Sequence, residues 1–182
     1  MIWLGHGDNM KKHDNWILIV FALTFVLSIV FSAISNVIAV SLNDIALAII
    51  LILVIGIGIL FDLIGTACIS ANEATFHSMS AKRVKGSKQA INLIKNKNRI
   101  SSACNDIVGD VCGIISGGIG AVLAISLATN TGLNNVLVSV LISALISSLT
   151  VGGKAIFKTI AIKNSDNIIY CVGKFLSFFG GK

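Results

Sequence analysis

Apolar and polar positions alternate along the chain in long blocks. Residues 17–41 carry no charge at all, and a membrane-spanning helix needs only about 20 mostly apolar residues. Trp16 stands at the mouth of this block as an interfacial anchor. A cleavable signal peptide would have a shorter apolar core, about 7–15 residues, followed by a small-residue cleavage site. The block is therefore expected to remain as a span. A second apolar block, 45–69, is interrupted only by Asp62, and the short link between the two predicts a tight antiparallel hairpin. A polar, basic region covers 72–106. A third block follows at 107–128, with Asp110 near its start, then a polar turn at 129–135 and a fourth block at 136–151. The chain contains no proline, so no helix is broken by that means.

Two further segments have helical periodicity without the length to cross. In the tail, Ile168, Ile169, Val172, Phe175, Leu176 and Phe179 recur at helical spacing behind the capping candidates Asn164, Ser165 and Asp166. This predicts a helix lying on the inner membrane surface. Between residues 82 and 99, Val84, Ile91 and Ile94 share a face among basic residues and predict a second juxtamembrane helix. The expected fold class is an all-α integral membrane protein with about four transmembrane helices and two cytoplasmic amphipathic helices.

Composition agrees with that reading. Of 182 residues, 55% are hydrophobic and 12% charged, and mean hydropathy is +0.92. A soluble domain carries about 25% charged residues. Disorder and nucleic-acid binding are excluded on the same ground. The net charge of +6 comes from 14 Lys and Arg against 8 Asp and Glu. Lys11 and Lys12 precede the first span; Lys82, Arg83, Lys85, Lys88, Lys95, Lys97 and Arg99 lie between the second and third. Lys154, Lys158, Lys163, Lys174 and Lys182 follow the fourth. With four spans all fourteen fall on one side, which the positive-inside rule makes cytoplasmic. The expected location is the cell membrane, multi-pass, with both termini cytoplasmic and anionic lipid contact as a secondary benefit.

Carboxylates at membrane depth are costly, about 2.5–3.5 kcal/mol on insertion scales, and so are candidates for function. Asp62, Thr66 and Glu73 are spaced to share a helix face, with Ser70 beside it. Asp106 and Asp110 lie four apart at the start of the third span. Converging oxygen ligands of this kind suit a hard divalent cation such as magnesium. Asp106 and Glu73 can equally be solvated at the interface, and Lys154 can form a structural ion pair at this depth. Gly109, Gly113 and Gly117, continued by Gly120 and Ala124, form a small-residue stripe for close helix packing, within a subunit or between two. Gly56 and Gly58 suggest tight packing in the second span. Cys68, Cys104, Cys112 and Cys171 lack zinc-site spacing, and His6, His13 and His77 are isolated. No catalytic constellation is present, so an enzyme is not expected, nor is an organic cofactor.

Several short motifs resemble the transmembrane domain of the cyclin-M/CorC family of magnesium and divalent-cation transporters. Ser70-Ala71-Asn72-Glu73-Ala74-Thr75 resembles its S-[GA]-x-E-T-A motif. A basic juxtamembrane stretch, Asn98-Arg99 and a span opening with small and polar residues follow in the family's order. Residues 153–161 resemble its G-E-x-x-P-K-T-x-A segment, and Lys163-Asn164-Ser165-Asp166 its [RK]-N-x-[ED] continuation. The resemblance runs over about residues 45–179. It implies a three-span domain with juxtamembrane helices, acting as a homodimer that binds magnesium within the membrane. The expected organisation is then residues 1–44 with an additional span, and 45–182 as the family-like domain.

Two departures bear on function. Lys154 stands where the family motif has Glu, and Phe157 where it has Pro. The family's cytoplasmic nucleotide-binding and cation-regulatory domains do not follow within these residues, so regulation by them is not expected of this chain alone. The expected function is transport of magnesium or a related divalent cation, with Asp62, Ser70, Glu73, Asp106 and Asp110 as candidate ligands. The alternative is a non-transporting scaffold or accessory subunit that kept the fold and lost the site. A lysine that pairs with a carboxylate fills the site and favours that alternative; one that snorkels leaves the carboxylates free.

Overall fold

In the computed structural model, the described residues are 21–22, 25–26, 28–37 and 42–179, and their regular structure is helical throughout. Trp16, the first basic pair and parts of the predicted first span (17–20, 23–24, 27 and 38–41) lie outside them, as does Lys182. Within the span, α1 (Ser28–Val37) is helical and apolar. Two of its polar side chains bond back to its own backbone, Ser35 Oγ to Phe31 O at 2.7 Å and Asn36 Nδ2 to Ser32 O at 2.9 Å. This lets Ser35 sit fully buried in an apolar setting. It meets Gly118, where an added Cβ would lie 3.3 Å from Ser35 Cβ.

The second predicted span is α2 (Asp44–Ser70), about 40 Å long at 1.5 Å per residue. Leu47, Leu51, Ile55 and Ile59 recur every fourth position and bury against Ile119 and Leu123. The opposite side of α2 leaves Ile45, Ile49, Ile52, Leu53 and Leu60 exposed, as a lipid-facing surface must. The helix stops at Ser70 because Ala71 is extended (ψ 144°) and Asn72 caps the next helix, accepting a bond from Ala74 N at 3.1 Å.

That break starts a collar of short helices. It comprises α3 (Glu73–Ala81), α4 (Ser87–Lys95) and α5 (Lys97–Ser102). In α4, Ser87, Ala90 and Ile94 are buried, the i, i+3, i+7 face of a half-buried helix. A π-helical segment, Ala103–Val108, continues without a break into α6 (Gly109–Thr131). The third span therefore begins at Lys97, earlier than the expected 107, because the small polar residues ahead of the apolar block are helical too. Gly132, at φ +70°, ends α6 in the left-handed conformation glycine favours at helix ends.

The fourth span, α7 (Asn135–Lys163), extends well past the expected 151. Glycines 152 and 153 weaken a helix but do not break it, and the lysines beyond them occupy its last turns. Only Val138 and Ala161 of α7 are buried. The tail forms α8 (Ser165–Phe179), as its periodicity predicts. Ser165 Oγ donates to Ser70 O at 3.3 Å, and Asn72 N donates to Asp166 Oδ1 at 2.9 Å. These bonds fasten α8 to the end of α2. Beneath them Ala67, Cys68, Phe76, Ala90, Ile94, Ala161 and Ile169 form a second core. All four cysteines are free thiols.

The fold is thus a bundle of three crossing helices, α2, the α5–α6 rod and α7, with α3, α4 and α8 gathered at one end. At the other end Asp44 ties α2 to α6, accepting from Ser126 Oγ at 2.6 Å and Asn130 Nδ2 at 3.1 Å.

Candidate cation site

The three crossing helices approach most closely where glycine removes the side chain between them. A Cβ on Gly58 would lie 3.1 Å from Cys112 Cβ, and one on Gly65 would strike the Asn105 side chain. A Cβ on Gly109 would lie 3.4 Å from Lys154 Nζ, and one on Gly153 would strike Ile59. The approach of α2 to the π segment thus depends on Gly65, whereas a Cβ on Gly109 would make only ordinary contact with the end of the Lys154 side chain.

Asp62 and Lys154 meet in this junction. Lys154 Nζ lies 3.9 Å from Asp62 Oδ1, with 32% and 16% of the two side chains exposed. At that distance unit charges attract by about 4 kcal/mol at an effective dielectric of about 20, before desolvation takes back part of the gain. The separation exceeds a hydrogen bond, so the ammonium is held by charge and can leave.

Asn105 is the other polar group here. Its Nδ2 donates to Ser101 Oγ at 3.4 Å, while Oδ1 is buried with no hydrogen-bond partner among the described residues. Leaving such an atom unsatisfied costs about 1–3 kcal/mol. Asn105 lies on the π segment, a backbone form often found at functional sites. It rests on Gly65, three residues beyond Asp62 and hence its neighbour on the helix surface. An amide oxygen, a carboxylate and nearby hydroxyls are hard oxygen donors.

The other predicted ligands are dispersed. The end of α2 at Ser70 and the fresh start of α3 remove Glu73 from the face of Asp62 and Thr66. Glu73 is exposed and pairs with His77 at 3.2 Å. Ser70 is exposed and offers its carbonyl to Ser165. Asp106 accepts from Ser102 Oγ at 2.6 Å on an exposed face, and Asp110 is exposed one turn further on. Among the described residues, no three His, Cys, Asp or Glu side chains converge closely enough to hold a metal ion.

The glycine stripe divides likewise. Gly109 is buried beside Lys154, but Gly113 and Gly117 are exposed, with no atom of the described residues where a Cβ would stand. Packing inside the subunit uses Gly118 and Gly120 instead. Sequence reasoning passed over Asn105 in favour of the charged Asp106 beside it. The available signal was an amide four residues after Ser101, immediately before an apolar block. Over residues 48–180 the sequence matches the cyclin M transmembrane N-terminal domain family. No curated protein and no solved structure matches it.

Proposed function

The chain belongs to the cyclin M transmembrane N-terminal domain family, and on that premise we propose that it moves a divalent cation, magnesium or a related ion, across the cell membrane. The observation that carries this reading is the buried, unpartnered Asn105 Oδ1 on the π segment, against α2 and one turn from Asp62. A hard cation would satisfy that oxygen and the Asp62 carboxylate together. Lys154 then acts as a tethered cation that holds Asp62 when no ion is bound. It has to withdraw along its flexible stem before a divalent ion enters, because a divalent ion about 4 Å away would repel it by about 8 kcal/mol at a dielectric near 20. The collar end, which holds all the described lysines and arginines, is the cytoplasmic end by the positive-inside rule. A homodimer would cover the exposed Asp110, Gly113, Gly117 and Ala121 stripe on α6.

The Lys154–Asp62 pair also favours the second reading, an accessory subunit whose site is permanently filled by its own lysine. Titration calorimetry with magnesium in detergent separates the two. Transport predicts that Lys154→Glu tightens binding and Asn105→Leu abolishes it. Unchanged heats in Lys154→Glu, Asp62→Asn and Asn105→Leu would leave the accessory reading.

A further inference from the structure

At the collar, the turn between α3 and α4 is pressed against α8. Gly86, at φ +88°, lies so close that an added Cβ would stand 2.7 Å from Lys174 N, and one on Gly173 would stand 2.6 Å from Gly86 O. Arg83 adopts φ +54°, a conformation few non-glycine residues take. Beside this contact opens a cleft of about 1150 Å³. Arg83, Lys85, Lys88 and Lys174 line it, and among the described residues no Asp or Glu does. Among the described residues none of these four cations is paired with a carboxylate. Phe175 and Phe178 complete the lining, 64% and 85% exposed.

We propose that this cleft binds the headgroup of an anionic phospholipid, its phosphate among the four cations and its acyl chains along Phe175 and Phe178. Four cations with no counter-charge among the described residues call for an anion, and exposed rings on the same wall call for hydrocarbon. A soluble anion meets only the first demand; a phospholipid meets both. The position agrees, since α4 and α8 pack where α2 and α7 end, at headgroup level. Juxtamembrane lysines and arginines attract acidic lipid, and a surface helix keeps its aromatic face in the acyl boundary. The cleft exceeds the room a phosphate needs and suits a headgroup with its glycerol.

Native mass spectrometry of the full chain in detergent, titrated with phosphatidylglycerol and with phosphatidylcholine of the same acyl chains, tests this site independently of ion transport. Phosphatidylglycerol is expected to bind about tenfold more tightly. The preference should vanish in Lys85→Gln/Lys174→Gln and weaken in Lys88→Gln, all exposed positions, while Lys163→Gln, outside the cleft, keeps it. Millimolar inorganic phosphate should leave the lipid in place. Equal binding of the two lipids, or a preference that survives in the double variant, would overturn the proposal. Displacement by phosphate would also overturn it, by making a free anion the ligand.

Discussion

Asp44 shows how one carboxylate can serve the fold without belonging to the candidate site. It receives two side-chain bonds from α6, from Ser126 and Asn130, and so fixes the end of the bundle opposite the collar. Hydrogen bonds to a charged group contribute about 1.5–3 kcal/mol each, less where water competes, as at the exposed Asn130 contact. Asp44→Ala should therefore lose about 2 kcal/mol, seen as a lower unfolding temperature in detergent. Ile45→Ala, whose side chain is mostly exposed, should change it little. The same scale explains which polar residues could be read from the sequence. A lysine at the depth of Asp62 and Asp110 leaves pairing or snorkelling open, and Lys154 pairs with Asp62. Asn105 carries no charge and stayed invisible, because its importance lies in burial and in a missing partner.

At the scale of elements, apolar block length predicts the crossing helices, and periodicity predicts α4 and α8. Their ends were less legible. Apolar blocks mark hydrocarbon thickness, whereas a helix continues as far as its backbone is favourable, so α5–α6 starts early and α7 ends late. Conversely, the turn at Ala71 and Asn72 interrupts a face that spacing alone carries from Asp62 to Glu73. It is stabilised by the Asn72 cap and by Asp166, a residue 94 positions away in sequence, and local pattern cannot report that. Topology follows from where the elements end. In a background without native cysteines, Leu133→Cys in the α6–α7 turn should react with an impermeant maleimide from outside. Lys88→Cys on α4 should react only after permeabilisation, and the reverse pattern would invert the bundle.

For the whole molecule, the single chain leaves much apolar surface to lipid, and α6 presents an outward stripe that lipid serves poorly. Asp110 is exposed there beside two glycines with no atom of the described residues within 4 Å of an added Cβ. A second copy covering the stripe would shelter the carboxylate and permit close backbone approach. Gly113→Leu should accordingly leave the chain folded, since no atom of the described residues lies within 4 Å of an added Cβ, yet reduce the dimer fraction in crosslinking. An unchanged dimer fraction would mean that the stripe faces lipid. The most direct measurement is magnesium uptake into proteoliposomes carrying an internal magnesium dye. The account predicts uptake above protein-free vesicles, lost in Asn105→Leu and in Asp62→Asn. Wild-type protein, folded and inserted, that admits no more magnesium, manganese or cobalt than empty vesicles would contradict it.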